Sequence, residues 1–217
     1  MHWQHNLDIT TLGMKKHHGF TLIELIAVAM IAVILAAVAV PNFTSFVQDT
    51  RISSMTNEMI SDLYYARSEA IKRNRRVTMC RSASPDNANA TCDATSANNW
   101  NNGDWSNGWI IFVDSQDAAG TSGADGIRQA AEILLKATSV TGSGMTFDPR
   151  PADTTLDNYI SYTPRGLART VGGDSQNGIM RVCDDRGTNS ARAITVTVTG
   201  RAEASAPPAS SAAIGSC

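Results

Sequence analysis

Histidine supplies most general bases and many metal ligands near neutral pH, and this 217-residue sequence has four, at His2, His5, His17 and His18. All four lie before Gly19, so the rest of the chain has none. That part therefore lacks serine–histidine and cysteine–histidine nucleophile pairs, and it lacks zinc sites that need imidazole. We predict that the protein is not an enzyme and uses no cofactor.

Three carboxylates, Asp114, Asp117 and Asp125, lie close together in one turn-rich segment. Hard oxygen ligands at such a spacing could hold Ca²⁺. A calcium loop needs several oxygens at regulated positions, however, and residues 118–120 (AAG) interrupt this one. A solvated acidic turn without a metal is the favoured interpretation.

The four cysteines, Cys80, Cys92, Cys183 and Cys217, form an even set that would pair as disulfides outside the cytoplasm and stay reduced inside it. Four cysteines allow three connectivities, and sequence order favours Cys80–Cys92 and Cys183–Cys217. The first bridge would close a polar loop with little core of its own. The second would tie down a tail rich in Pro, Ala and Ser.

The apolar segment from Phe20 to Val40 decides the compartment. Its 21 residues carry one charge, Glu24, and as a helix would span about 31 Å, enough to cross a bilayer. The run is too long for an ordinary secretory signal. Because Lys15 and Lys16 precede it, the positive-inside rule places the N-terminus in the cytoplasm and the C-terminal part outside, where cysteines oxidise.

Glu24 is the one charged residue of this segment. An ionised carboxylate at such a position costs a few kcal/mol and is usually functional. No cation nearby in the chain would neutralise it. Two interpretations remain: a carboxylate that reaches the headgroup region, or one whose partner comes from another molecule. The second is favoured.

The residues around the start of this segment resemble a known processing signal. Residues 15–19 (KKHHG) followed by residues 20–24 (FTLIE) are similar to the prepilin signal of type IV pilins and of type II secretion pseudopilins. The resemblance implies that a prepilin peptidase cleaves after Gly19 and N-methylates Phe20. It also implies that Glu24 pairs with the terminal amine of a neighbouring subunit.

The same resemblance implies a life cycle. The chain would be a single-pass inner-membrane protein with a periplasmic head, which an inner-membrane assembly platform then builds into an extracellular pilus. Pro41 matches the helix-bending proline of these pilins. Leaders in the family are commonly very short, and translation from Met14 would give such a leader, in which case residues 1–13 are not translated.

Beyond Pro41, a helical pattern continues to about Arg73. Its apolar face repeats every three or four residues, at Ile52, Met55, Met59, Leu63, Ala66 and Ala70. The opposite, charged side is expected to face solvent largely, with Asp49, Arg51, Glu58, Asp62, Arg67 and Glu69. This half of the helix is predicted to pack on a globular head.

The remainder has short β-type runs separated by turns rich in Gly, Asn, Asp and Ser. The predicted strands are Val77–Cys80, Trp109–Val113, Ile133–Ala137, Tyr159–Tyr162, Gly178–Cys183 and Ala193–Thr199, with a long polar loop over 82–107. We therefore predict an α+β, pilin-like fold in which a long N-terminal helix packs on a mainly antiparallel β-sheet head. The predicted divisions are a leader (1–19), a transmembrane or filament-core helix (20–40), an amphipathic half-helix (41–73) and a β-rich head (74–217).

A second resemblance covers the head. Residues 65–73 (YARSEAIKR), 77–80 (VTMC), 105–114 (WSNGWIIFVD) and 199–201 (TGR) are similar to the GspH/FimT/FimU group of minor pilins and minor pseudopilins. The resemblance implies a subunit that starts or tips a filament, with other pilins and minor pilins as partners. Twitching, adhesion and DNA uptake are the functions of such pili.

Two alternatives stay open. One is a GspH-like minor pseudopilin of a type II secretion system, which would share every feature above. The other is a FimT-like minor pilin that binds DNA in natural transformation, with Arg201, Arg73, Arg75 and Arg76 as contacts. The group's DNA-binding pattern, Gly-Arg-x-Arg, reads GRAE over residues 200–203 here, so Glu203 would repel phosphate.

The net charge of the chain also disfavours DNA binding. The whole chain has a formal charge of −2, and without the two lysines and one aspartate of residues 1–19, 16 cations and 19 acids remain, a charge of −3. Cations near the end of a helix already have an electrostatic reason to be there.

Overall fold

The computed structural model describes residues 19–93, 105–115, 123–140, 144–150, 156–187 and 190–205. One helix, α1, spans Leu22–Arg73 and precedes the strands of the head. The chain forms two compact units, Met1–Ser45 and Phe46–Cys217, and α1 contributes residues to both.

In the first unit, the described residues are 19–45, and α1 accounts for nearly all of them. Their large apolar side chains are exposed, because no other described residue of this unit packs on them. This part of α1 is long and apolar enough to cross a membrane. The helix therefore carries an apolar surface that the described residues of its own unit leave uncovered.

In the second unit, the predicted apolar stripe of α1 is confirmed. Its side chains are all buried: Ile52, Met55, Met59, Leu63, Ala66 and Ala70. The expectation of a solvent-facing charged side is wrong for two residues, Asp62 and Glu69, which are buried. Each has hydrogen-bond donors that make burial of a carboxylate tolerable: Asp62 accepts from strand residues, and Glu69 from cations one turn further along α1.

The strands form two antiparallel four-stranded sheets, which confirms the α+β prediction. The first has the order β3-β2-β1-β5, with β1 Val77–Arg81, β2 Gly108–Val113, β3 Leu134–Ser139 and β5 Tyr159–Tyr162. The second has the order β4-β6-β7-β8, with β4 Thr146–Arg150, β6 Gly178–Cys183, β7 Arg192–Val196 and β8 Ala202–Ser205. Side chains from both sheets join the α1 stripe in one core, among them Met79 and Trp109 of the first sheet and Phe147 and Ile194 of the second.

Two strands, β4 and β8, are not among the predicted ones. β4 contains Pro149 and lies at a sheet edge, where a residue without an amide hydrogen is tolerated. The predicted strand ending at Thr199 is too long, since β7 stops at Val196 and a turn follows. In that turn the Thr197 amide donates to Arg201 O at 2.9 Å, which starts the return strand β8.

The two central strands of the first sheet, β1 and β2, are buried on both faces. The outer face of the sheet carries a second apolar cluster built on Cys80, Ala90, Ile110 and Phe112. The Cys80–Cys92 disulfide, with an S–S distance of 2.01 Å, holds the loop that supplies Ala90. This predicted pairing is confirmed. Through the disulfide, the polar loop covers the apolar cluster on the outer face of the first sheet.

Candidate assembly site

Helix α1 starts with a capping box formed by Thr21 and Glu24. Thr21 donates two hydrogen bonds to Glu24 Oε2, from its backbone nitrogen at 2.9 Å and from its hydroxyl at 2.8 Å. The Glu24 backbone nitrogen donates back to Thr21 Oγ1 at 3.3 Å. Amides at the start of a helix have no helical acceptor, and this exchange satisfies two of them, those of Thr21 and Glu24. Glu24 is therefore a capping residue of its own helix.

Thr21 is not among the predicted site residues, although Thr-x-x-Glu before an apolar run is a recognisable capping-box pattern. Its hydroxyl and amide satisfy the hydrogen-bonding capacity of one Glu24 oxygen. They carry no formal charge, so the carboxylate remains an anion in an apolar segment. A cationic partner from another subunit stays a prediction.

The predicted processing residues, Gly19 and Phe20, lie just before α1 and are exposed, Phe20 to 87%. The bond between them is therefore outside the helical hydrogen-bond ladder. The basic residues and Met14 of the predicted leader lie outside the described residues. Pro41 lies inside α1, where its missing amide hydrogen removes one helical donor.

At the other end of α1, Arg67 joins the helix to two turns of the head. Its Nε donates to Gly166 O at 2.9 Å and its Nη2 to Thr199 O at 3.1 Å. Gly166 and Gly200 have φ angles of +74° and +79°. A Cβ at Gly200 would lie 2.2 Å from Gly166 O, so the turns meet at a distance only glycine allows.

Two of the four arginines predicted to contact DNA are paired with acids. Glu69 accepts hydrogen bonds from Lys72 and Arg73, and Glu203 forms an ion pair with Arg201. Arg73 holds the pKa of the Glu69 carboxyl below its usual range, with Lys72 adding to the effect. The charges of Arg73 and Arg201 are thus partly neutralised before any ligand arrives.

Among the described residues, no acid pairs in this way with the other two, Arg75 and Arg76. Arg76 Nη1 donates to Ser161 Oγ at 3.0 Å and to the carbonyls of Arg169 and Thr170 at 2.9 and 3.1 Å. These carbonyl and hydroxyl oxygens accept hydrogen bonds from Nη1 but, being neutral, do not cancel the charge of the Arg76 side chain. Arg75 is exposed just after the helix.

Asp114 is buried, so the prediction of a solvated acidic turn is wrong for this residue. Thr78 Oγ1 donates to Asp114 Oδ2 at 2.6 Å, and the backbone nitrogens of Asp125 and Gly126 each donate at 3.2 Å. Burial raises the pKa of Asp114 to about 6, and the neighbouring Glu132 charge contributes to the rise. The buried Asp114 carboxylate therefore orders this loop by accepting hydrogen bonds from the backbone of Asp125 and Gly126.

Asp117, the third predicted acid, lies outside the described residues. Within the part of the chain that the structure describes, no three His, Cys, Asp or Glu side chains come together as a metal would require. Asp114 and Asp125 meet through a backbone amide rather than through two carboxylates.

Cys183 ends β6, is buried and is disulfide-bonded. Its predicted partner, Cys217, lies outside the described residues, so the Cys183–Cys217 pairing stays a prediction.

Comparison with known protein families identifies the head. A family model described as "Type II transport protein GspH" matches residues 55–200, more than half of the chain. The chain belongs to the GspH family. A second model, described as "Prokaryotic N-terminal methylation motif", matches residues 14–40 and so includes the predicted cleavage site and Glu24.

Two solved structures are similar to this GspH-family chain, both of the type IV minor pilin FimU of Pseudomonas aeruginosa PAO1. The crystal form in space group P21 has 18% identity and a TM-score of 0.48, and the match covers 74% of this chain and 92% of FimU. The P65 form has 19% identity and a TM-score of 0.45, with 70% and 91% covered. No curated protein matches the sequence.

Membership of the family gives the GspH-family chain a general role. It is a type IV pilin-like structural subunit of the minor pilin and pseudopilin group. Pilin subunits of this kind are processed from prepilins and assemble with other pilins. The apolar first part of α1, together with the methylation motif, indicates membrane anchoring.

Proposed function

We propose that the chain is a minor type IV pilin that helps to start or tip a pilus. In this proposal a prepilin peptidase cleaves between Gly19 and Phe20 and N-methylates Phe20. Before assembly, the subunit is anchored in the inner membrane with its head in the periplasm. An assembly platform then moves it into the filament beside other pilins and minor pilins.

The observation that carries the proposal is the position of Glu24 in an exposed apolar helix. The large apolar side chains from Phe20 to Val40 are exposed, so they can be buried first in lipid and later against neighbouring helices. An unpaired carboxylate is costly in either surrounding. Pairing with the terminal ammonium of a neighbouring Phe20 removes that cost at one axial offset and so sets the register of assembly.

The decisive experiment replaces Glu24 by Gln in the full-length chain. Glutamine keeps the shape of the side chain and can also form a capping box, so the change removes mainly the charge. We expect normal membrane insertion, normal cleavage at Gly19–Phe20 by mass spectrometry, and loss of the variant from sheared pili. Glu58→Gln, on the head part of α1, serves as the control and should be incorporated normally. Wild-type levels of Glu24→Gln in pili would contradict the proposal.

The pseudopilin alternative shares the same helix and head. The two alternatives differ in the system that assembles the subunit, a type IV pilus or a type II secretion system. Deletion of the gene therefore distinguishes them. Loss of pili or twitching with intact protein secretion supports a role in the type IV pilus. Loss of secretion with intact pili supports a type II secretion system.

A DNA-contacting minor pilin is the second candidate, supported by cations that no acid among the described residues neutralises. Arg75 is exposed, Arg76 Nη1 donates to one hydroxyl and two carbonyl oxygens, and Arg165 is exposed in the turn before Arg169. Residues 48–217 contain 16 cations and 18 acids, a net charge of −2, and this charge and the Arg201–Glu203 pair oppose binding. We expect residues 48–217 to bind duplex DNA weakly at most in gel shifts at two salt concentrations. Salt-sensitive binding at submicromolar protein, abolished by Arg201→Gln, would make this candidate the leading one.

A further inference from the structure

An open groove of about 540 Å³ lies in the connection between β5 and β6, and it is lined by Thr163, Pro164, Arg165, Leu167, Arg169 and Gly173. The lining residues include two arginines and no acid. We propose that the groove binds the carboxylate of an acidic sugar, such as a uronic acid unit of a polysaccharide. The groove belongs to the head, so this proposal goes beyond the assembly function and does not depend on it.

One wall of the groove is a tight turn over residues 163–166 (TPRG). The Gly166 amide donates to Thr163 O at 2.8 Å and closes the turn. Proline suits the second position, because its ring fixes φ near the value that a turn requires there. Arg67 Nε donates to Gly166 O at 2.9 Å and so ties the turn to α1. Arg165 is therefore exposed on a backbone that is held in place.

The other wall is the chain that begins at Arg169. Arg76 Nη1 donates to Arg169 O at 2.9 Å and to Thr170 O at 3.1 Å. A second turn follows, in which the Gly173 amide donates to Thr170 O at 3.0 Å. The Arg169 side chain donates one hydrogen bond, from Nη1 to Ser175 Oγ. Both walls are thus ordered before a ligand arrives, which lowers the entropy lost on binding.

The guanidinium groups of Arg165 and Arg169 offer charge and hydrogen-bond donors to an anion. An arginine side chain has several N–H donors, and the Ser175 hydroxyl accepts from one of those of Arg169. Among the described residues, no acid forms an ion pair with either arginine. Guanidinium groups bind carboxylates through paired hydrogen bonds, so the groove has the chemistry of a carboxylate site.

The surroundings favour an acidic sugar over a nucleic acid. Asp174, which follows the lining residue Gly173, is exposed and would repel the closely spaced phosphates of DNA. None of the lining side chains is aromatic, so the groove has no platform on which unpaired bases stack. A uronic acid carries one carboxylate and several hydroxyls on each ring. The arginines suit the carboxylate, Asp174 can accept from a hydroxyl, and Pro164 and Leu167 offer apolar contact to the ring.

The test measures binding by the full-length chain in an uncharged detergent. The probes, each fluorescently labelled, are a tetramer of galacturonic acid, its uncharged methyl ester, a short DNA duplex and a glutamate hexapeptide. We expect the tetramer to bind most tightly of the four. It should bind about tenfold more tightly than its methyl ester, because esterification removes the charge that the arginines recognise.

Single substitutions locate the site. Arg165→Gln and Arg169→Gln should each weaken binding of the tetramer about five- to tenfold, through loss of charge-assisted hydrogen bonds. Arg192→Gln is the matched control, because it makes the same change of charge at the start of β7, whereas the turn that meets Gly166 follows the other end of that strand. Its affinity should stay within about twofold of wild type, since salt screens distant charges. Arg165 is exposed, so its replacement should leave the fold intact, which circular dichroism checks.

Four outcomes would overturn the proposal. Equal binding of the tetramer and its methyl ester would show that no carboxylate is recognised. Equal losses from Arg165→Gln and Arg192→Gln would show an effect of net charge alone. Tighter binding of the DNA duplex, weakened by the same arginine changes, would assign the groove to phosphates. Tighter binding of the hexapeptide would assign it to an acidic protein partner. The assembly function is tested separately, by Glu24→Gln.

Discussion

Trp109 Nε1 donates a 2.8 Å hydrogen bond to Asp62 Oδ2, which joins the indole of β2 to a buried carboxylate of α1. Thr138 Oγ1 on β3 donates to the same oxygen at 2.7 Å, and Lys136 Nζ donates to the other at 2.5 Å. One side chain of α1 thus accepts from three residues on two adjacent strands. Asp62 fixes the position of the helix against the first sheet.

Replacing this carboxylate should destabilise the head strongly. For residues 48–217 we expect Asp62→Ala to lower the free energy of unfolding by about 3 kcal/mol, because Trp109 and Thr138 would keep buried donors without an acceptor. Urea unfolding followed by tryptophan fluorescence measures the change. Glu203→Ala is the control, and it should cost less than about 0.5 kcal/mol because its ion pair with Arg201 is exposed. Similar values for the two variants would contradict the role given to Asp62.

The contact between the two glycine turns makes a second prediction. Gly200→Ala should destabilise the head by about 2 kcal/mol beyond the strain of a positive φ, because the new methyl would lie 2.2 Å from Gly166 O. Arg67 holds that oxygen, so the oxygen has little freedom to move away. Gly173→Ala is a matched control, since Gly173 has a φ of +96° but no atom within 4 Å of an added Cβ. Thermal unfolding of both variants isolates the steric contribution, and equal melting temperatures would refute it.

Asp114 should make the stability of the head depend on pH. Its pKa of about 6 in the folded chain exceeds the ordinary value of 3.8, because burial disfavours the charged form. The folded state therefore binds the proton more tightly than the unfolded state does. The stability that this provides is complete below about pH 4 and is lost as the pH rises through about 6.

The measurement compares wild type with Asp114→Asn, which keeps the shape but does not titrate. Between pH 4 and pH 7 the free energy of unfolding of wild type should fall relative to the variant, by about 3 kcal/mol at most at 1.4 kcal/mol per pKa unit. The comparison removes the opposite contributions of groups such as Glu69, whose pKa is lowered. Parallel pH profiles of the two proteins would show that Asp114 is not the titrating group.

The sequence predicts the helix and its buried stripe well, because residues such as Met59 and Leu63 are apolar and recur with the helical period. It does not predict that Asp62 is buried on the same helix. Periodicity places a residue on the buried or the solvent-facing side of a helix from its residue type alone. The burial of Asp62 depends instead on donors from β2 and β3, at least 47 residues away. Long-range polar partners leave no local pattern.

The strand β8 was missed for a related reason, because it depends on a pairing partner rather than on its own residues. β8 reads AEAS, which has little β propensity, and it forms as a strand because it pairs with β7. At the assembly site the reverse holds, since the contact between Thr21 and Glu24 spans three residues and is visible as a capping-box pattern. Short-range contacts can therefore be found in the sequence, whereas the Arg67 contacts to Gly166 and Thr199 require the fold.

We expect Cys183 to pair with Cys217, since Cys80 and Cys92 are bonded to each other. The bridge would tie the C-terminal tail to the end of β6, and a loop of this length would contribute roughly 3 to 4 kcal/mol in the chain-entropy model.

Tryptic digestion of the denatured, unreduced protein, with free thiols blocked, tests this pairing. Cleavage after arginine places the cysteines in four different peptides. Val182–Arg186 should be found joined to Ala202–Cys217, and Val77–Arg81 to the peptide that starts at Ser82; reduction should separate each pair. Recovery of Val182–Arg186 joined to Val77–Arg81 would contradict both bridges. Recovery of Val182–Arg186 as a blocked monomer would contradict the second bridge alone and leave the cover over the first sheet intact.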